Sequence, residues 1–383
     1  MDFNIQKTIC QARAGELVTA HGTVPTPVFL PVGSQAAVKT LTLQEVSGIG
    51  FRMLLANTYH LYLRPGTEII KQLGGLHRFM GWQGAILTDS GGYQIFSLAG
   101  LRKINDKGVT FRSHIDGSSH FITPERAVEL QNELGADIIM VLDECPPSDA
   151  DFSKTRRAME RTHLWAGKCK EAHRCNDQAL FAIVQGGVFP ELRQQSAEYL
   201  TGLDFPGYAI GGLSLGEPKE VTFEITAQTA ALLPAHKPRY LMGVGSPEDI
   251  VEAVAGGIDI FDSALPTRVA RNGALFTRRG RINITNAKYK NREGPFDAAC
   301  GCYTCQNFSA AYLHHLFHCG ELLALRLATL HNLTFMHNLI QDIRTTILND
   351  SYASFREDFH KNYQPTNEEA RIEQKKKWLS TRR

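Results

Sequence analysis

Long apolar runs are missing from this chain. Across 383 residues no stretch approaches the roughly 20 consecutive apolar residues that a membrane-spanning helix needs, which excludes a helical transmembrane protein. The opening "MDFNIQKTICQARAGE" has no apolar core flanked by positive charge, so no secretory signal is expected and the cytoplasm is the expected compartment. Strong charge of either sign is missing too. A net charge of +2 neither demands nor forbids a nucleic-acid partner, because local charge counts for more than the sum. Cysteine is sparse: 8 residues in a chain of this length do not make a disulfide scaffold. Three of them, Cys300, Cys302 and Cys305, crowd together, and in a reducing compartment that clustering points to metal binding. No G-x-G-x-x-G follows the first apolar strand, which argues against a dinucleotide-binding fold.

What is present is a repeated unit, alike in pattern but not in sequence. A short apolar run ends in small or polar residues, and an amphipathic segment usually follows. The runs are "TPVFLPVG", "FRMLLANTYHL", "AILTDSGGYQ", "DIIMVLDECPP", "ALFAIVQGG", "YAIGGLSLGEP", "RYLMGVGS" and "IDIFDSALPT". Continuous apolar character is that of strands buried on both faces, and alternation with helices predicts a parallel sheet. Eight such units over about 250 residues predict an α/β fold of the closed (β/α)8 barrel type. Residues 1–274 are expected to form this barrel. A β-hairpin insertion is expected at about 94–122, where polar and apolar residues alternate around Asp116-Gly117. The helix after it should start at Pro124 with Thr123 as N-cap. Residues 275–332 read as a zinc-binding insertion, and 333–383 as C-terminal helices that complete the barrel. The tail "RIEQKKKWLSTRR" is basic, and reads either as a solvated terminal helix or as a contact to RNA backbone.

In barrel enzymes chemistry gathers at the C-terminal ends of the strands. Here those ends carry Asp89 with Ser90-Gly91-Gly92-Tyr93, Asp143-Glu144-Cys145, Gln185-Gly186-Gly187, Gly211-Gly212-Leu213, Met242-Gly243 and Asp262. A lone aspartate after a strand is commonly a cap or turn residue. Three of them, each directly after a buried run, favour a shared mouth. Glycine pairs let a flat ligand approach the backbone. Tyr93 and Met242 can sandwich a ring or simply pack in the core. The pattern suits a flat heterocycle rich in donors and acceptors, such as a purine. Two carboxylates at one mouth also suit glycosidic chemistry, one attacking the anomeric carbon and the other moving protons.

"ACGCYTCQ" sets three thiols in a C-x-C-x2-C arrangement. They can wrap one tetrahedral ion with a fourth ligand from later in the chain, where His314, His315, His318, Cys319 and His331 are candidates. A structural zinc is expected, with an iron–sulfur cluster as the alternative. Four filled positions leave no place for a reactive water.

Taken together, "LTDSGGYQIFSL", "VLDECPP", "FAIVQGG", "AIGGLSLGEP", "YLMGVGSPEDI", "FDSALPTRVARNG" and "CGCYTC" resemble a bacterial-type tRNA-guanine transglycosylase, from about Phe3 to past His331. The resemblance implies a (β/α)8 barrel with a zinc-bearing insertion, working as a homodimer. It implies an enzyme that removes guanine at the wobble position of tRNAs with a G-U-N anticodon (Asp, Asn, His and Tyr). In its place the enzyme inserts the 7-deazaguanine preQ1, on the route to queuosine. Position by position, it implies Asp262 as nucleophile on the ribose and Asp89 as general acid/base. The purine would meet the Ser90, Gly91 and Gly92 stretch, Asp143 on its Watson–Crick edge, and Gln185 with the Gly212 and Leu213 backbone on its other groups. Tyr93 and Met242 would stack on the rings, and Glu217 would lie near the backbone that meets the aminomethyl group. The anticodon loop would contact Gly243, Val244, Gly245, Ser246, Pro247, Glu248 and Asp249, and then Thr267, Arg268, Val269, Ala270 and Arg271. One zinc ion per subunit would fall to Cys300, Cys302, Cys305 and His331.

Two departures matter. Ser263 follows the nucleophile where the family often has Cys, with little effect expected on the chemistry. Leu215 stands where queuine-using members typically carry Gly, so preQ1 is favoured over the bulkier queuine. Two rival readings exist. A simple retaining glycosidase would use Asp262 and Asp89 but leaves the zinc insertion and the arginines after Asp262 without a reason. A non-catalytic RNA-binding relative would be expected to lose catalytic positions, and both are here.

Overall fold

The computed structural model describes residues 1–98 and 102–366; the "RIEQKKKWLSTRR" tail lies outside the described residues. Eight short strands form one parallel sheet: Val28–Pro31, Met53–Asn57, Ala85–Asp89, Ile138–Met140, Ala179–Val184, Gly207–Ile210, Arg239–Leu241 and Ile260–Ser263. Consecutive strands are neighbours, and the eighth pairs with the first through Ile260 and Val28. Between the first and second, a parallel bridge from Val32 to Leu55 closes the ring, with Gly33 N–H donating to the Leu55 carbonyl at 2.7 Å. The sheet is the expected (β/α)8 barrel. Every residue of the second, third and fifth strands is buried, which is why these strands read as unbroken apolar runs.

The insertion after the third strand carries more than a hairpin. A helix, Gly92–Leu98, comes first, and then an antiparallel sheet of Arg102–Asn105, Gly108–Arg112 and Ser119–Ile122. The tight two-residue turn is Asp106-Lys107, where the Asn105 side chain accepts from Lys107 N–H at 2.8 Å. Asp116-Gly117 sits in a longer connection, its Asp116 side chain accepting from Ser118. The strand Arg102–Asn105 buries almost nothing and therefore leaves no periodic trace in the sequence. The next helix, Pro124–Leu134, begins as expected, with Thr123 Oγ1 accepting from Arg126 N–H at 3.2 Å.

An N-terminal antiparallel sheet, Asp2–Ile9, Ala12–Thr19 and Gly22–Thr26, precedes the barrel without a matching pattern in the sequence. Buried Arg13 ties it to the barrel through an ion pair with Asp259, the residue just before the eighth strand.

The chain divides into two compact units, Met1–Leu265 with His337–Tyr352, and Pro266–Met336 with the described residues from Ala353 on. The second unit starts at Pro266. Ala270, at the end of the helix Leu265–Ala270, already packs in the core with Leu275, Ile284 and Leu313. Within this unit the hairpin Ala274–Thr277 and Gly280–Asn283 is stitched to the helix that begins at Leu322. Asn332 accepts from Phe276 N–H at 3.0 Å and donates to the Pro266 and Ala274 carbonyls, each also at 3.0 Å.

Candidate active site and metal centre

Three carboxylates are buried where their strands end: Asp89, Asp143 and Asp262. Parallel register explains the first. Asn57 and Asp89 are cross-strand partners, so both side chains leave the sheet side by side. Asn57 Nδ2 and Gln94 Nε2 donate to Asp89 Oδ2 at 2.5 and 2.8 Å, and Thr58 N–H donates to Oδ1 at 2.9 Å. Burial nevertheless wins and pushes the carboxyl up to about 6; these three donors pull it down, and the charge of Asp262 pushes it further up.

Asp143 receives Gln185 Nε2 at 2.8 Å on Oδ2 and Ser90 Oγ at 3.4 Å on Oδ1. Burial raises it to about 6 as well, against those two bonds and with help from the charge of Asp89. Gln185 is fully buried, and its Oε1 has no partner among the described residues. Two glycines make room here. A Cβ on Gly212 (φ +69°) would lie 2.5 Å from Gln185 Oε1, and one on Gly92 would lie 2.8 Å from Asp143 Oδ1.

Asp262 is set differently. Tyr240 Oη–H and Gly243 N–H donate to the same oxygen, Oδ1, at 2.6 and 2.8 Å. Oδ2 has no partner among the described residues. Burial raises the carboxyl and the two donors counter it. The reciprocal effect on Tyr240 is large: burial and the adjacent carboxylate hold its phenol well above the ordinary range, so it stays a donor.

The other expected residues fall out unevenly. Tyr93 is half exposed and Met242 half-buried, while Leu213 is buried. Glu217 folds back on its own loop: it accepts from Ser214 N–H, from Leu215 N–H at 3.0 Å and from Thr222 Oγ1 at 2.7 Å. Burial raises its carboxyl, but these bonds outweigh burial and leave it below the usual range. Of the 243–249 stretch, Gly243 alone is exposed; Ser246 and Asp249 are half-buried and the rest are buried. Glu248 and Asp249 open the helix Pro247–Ala255 and are held by Lys219 at 2.8 and 2.7 Å. In the second unit, Arg268 is exposed and Arg271 half-buried, and neither has a carboxylate partner among the described residues. Thr267, Val269 and Ala270 are buried.

Residues that sequence reasoning passed over complete the site. Asn57 and Thr58 stand at a strand end, the same position that marks the acids, but carry no charge to set them apart from the strand. Tyr240 offered no signal, since a tyrosine inside an apolar strand reads as core. Arg193, on the helix Pro190–Gly202, is fully buried and donates to the Val184 and Gly187 carbonyls, both at 2.8 Å. It thereby clamps the turn that presents Gln185.

The cysteine cluster chooses its fourth member geometrically. His331 Nδ1 lies 3.5, 3.4 and 3.6 Å from the sulfurs of Cys300, Cys302 and Cys305. Metal–sulfur and metal–nitrogen lengths of a tetrahedral zinc site give an S···N edge of about 3.6 Å. Its other nitrogen, Nε2, faces the Phe276 carbonyl at 2.6 Å, which fixes Nε2 as the protonated donor and leaves Nδ1 free to ligate. The four residues thus fit one tetrahedral ion. His314 is diverted to the Ile284 carbonyl at 2.9 Å, and His315 pairs with Cys319.

The family model for queuine tRNA-ribosyltransferase matches residues 8–365. A queuine tRNA-ribosyltransferase of Dehalococcoides mccartyi is 64% identical over 371 residues, covering 97% of this chain and 95% of the relative. One from Herpetosiphon aurantiacus is 56% identical over 94% of this chain and 92% of its own. One from Desulforamulus reducens is 54% identical over 92% and 95% respectively.

Proposed function

Because the chain belongs to the queuine tRNA-ribosyltransferase family, we propose that this enzyme exchanges guanine at the wobble position of G-U-N tRNAs for preQ1 by double displacement. The observation that carries the reading is the unequal setting of two buried carboxylates. Asp262 has one oxygen pinned by Tyr240 and Gly243 and the other without a partner among the described residues, the arrangement of an oriented nucleophile. Asp89, at about 6, is poised to carry a proton near neutral pH.

In the first step Asp262 Oδ2 attacks C1′ of the ribose. The C1′–N9 bond breaks and its electron pair leaves with guanine, which takes a proton from Asp89. In the second step Asp89 removes the N9 proton of the incoming base. N9 then attacks C1′, and the ester bond to Asp262 breaks and returns the carboxylate. Asp143 accepts the adjacent N1–H and 2-amino hydrogens of the purine, and Gln185, braced by Arg193, holds Asp143 in place. Leu215, half-buried in the loop that Glu217 secures, supports preQ1 over the bulkier queuine. Arg268 and Arg271, with no carboxylate partner among the described residues, suit the RNA backbone. The Cys300, Cys302, Cys305 and His331 site would hold zinc, whose part is to tie the second unit's segments together rather than to react.

The test is incorporation of labelled guanine or preQ1 into a G-U-N tRNA, supplied in competition with queuine. Wild type should label the tRNA and form a protein–RNA adduct that survives denaturing gels; Asp262→Asn should do neither. A metal-replete wild type that leaves the tRNA unlabelled overturns the reading.

A further inference from the structure

A second cluster of metal-ligating side chains lies in the first unit, away from the carboxylates of the mouth. His21 sits in the turn between Ala12–Thr19 and Gly22–Thr26, His77 on the helix Gly75–Met80, and Asp137 just before the fourth barrel strand. Asp143 follows that strand and Asp137 precedes it, so the two acids stand at opposite ends of the barrel. His21 Nδ1 is 2.8 Å from Asp137 Oδ1, and His77 Nε2 is 3.2 Å from Oδ2. All the ligand atoms lie within 4.8 Å of one another. Asp137 is buried and anchored by Ile86 N–H, which donates to Oδ2 at 2.8 Å.

We propose that His21, His77 and Asp137 bind a borderline divalent transition cation such as Zn²⁺, Co²⁺ or Ni²⁺ at the N-terminal face of the barrel. Two imidazoles and one carboxylate are the donor set such ions favour, whereas calcium and magnesium seek oxygen. The spacing is suitable too. One ligand atom from each residue already lies within 4.8 Å of the others, so modest ring rotations bring all three around one ion. Among the described residues three protein ligands are offered, so water would complete the shell.

Without the ion, the two rings stack at 3.5 Å between centroids with an interplanar angle of 11°, each N–H on a different carboxylate oxygen. His77 Nε2 also faces the Gly84 carbonyl at 3.1 Å. To ligate, each ring turns out of the stack, and its proton moves to the other ring nitrogen, Nε2 in His21 and Nδ1 in His77. The His21 side chain is 39% exposed, which gives it freedom to turn and gives the ion a way in. The bound ion would brace the N-terminal sheet against the barrel, far from the chemistry.

The experiment is equilibrium dialysis of the full chain against micromolar Zn²⁺, with bound zinc counted by elemental analysis. His21→Asn and His77→Gln keep amide donors for Asp137 and serve as the comparison. Wild type should bind one equivalent more than either variant, and zinc should raise its melting temperature more than theirs. The three-ligand site is overturned if wild type binds no more zinc than the variants, or if either variant retains the extra equivalent.

Discussion

Asp143→Asn should make the protein more stable and less active, and the stability gain should depend on pH. Burial raises the Asp143 carboxyl to about 6 from an ordinary 3.8. A group raised in the folded state stabilises fully below its unfolded value, and that contribution is lost as pH climbs through the folded value. A difference of about two units, at 1.36 kcal/mol each, withholds about 3 kcal/mol at pH 7.5 and about 1 kcal/mol at pH 4.5. Asparagine escapes this penalty with little rearrangement. Its oxygen can still accept from Gln185 Nε2, and its amide can donate to Ser90 Oγ, which lies 3.4 Å from the present carboxylate. For a unit of some 280 residues, 3 kcal/mol corresponds to a melting shift of about 5 °C. Calorimetry of both proteins at matched ionic strength should show a gain near that size at pH 7.5, shrinking to about 2 °C at pH 4.5. In the exchange assay the KM for guanine should rise about 10- to 100-fold, since a purine N–H would now face an amide donor. A variant that melts no higher than wild type at pH 7.5, or that gains equally at both pH values, would show that Asp143 is not strained by burial.

Three further outcomes are expected. Tyr240→Phe removes one of the two donors that hold Asp262 down, a bond to a charged acceptor worth about 1.5–3 kcal/mol. The acid limb of the exchange rate should therefore move to higher pH, with a loss of about ten- to a hundredfold on that limb; an unmoved limb contradicts the role given to Oδ1. Gly212→Ala places a Cβ 2.5 Å from Gln185 Oε1 at a φ of +69°. It should cost about 1–2 kcal/mol in backbone strain and weaken binding of the free base, which steady-state kinetics and melting would register together. Cys302→Ala should lower metal content and stability in parallel, whereas full metal occupancy at an unchanged melting temperature would exclude the four-ligand centre.

Sequence alone determined the elements whose signal is local. The eight strands declared themselves because a strand buried on both faces must be apolar throughout, and the acids at their ends stood out against those runs. Thr123 and Pro124 announced a helix start because capping acts within one turn. The cysteine triplet was legible for the same reason, its three ligands lying within six residues. The strand Arg102–Asn105 left no such trace because it is almost wholly exposed, and Ala12–Thr19 because its buried stretch includes Arg13 and Gly15 and does not read as an apolar run. Spacing alone also left five candidates open for the fourth metal ligand, a choice that depended on which ring nitrogen the Phe276 carbonyl had already claimed. Tertiary structure alone decided how each aspartate is set. Three similar strand-end acids differ because the fold hands Asp89 donors from Asn57, Thr58 and Gln94, Asp143 a glutamine and a serine, and Asp262 two donors on one oxygen. Burial then raises all three, and their settings separate through partners that lie from 5 to 53 residues away in the chain but side by side in the barrel.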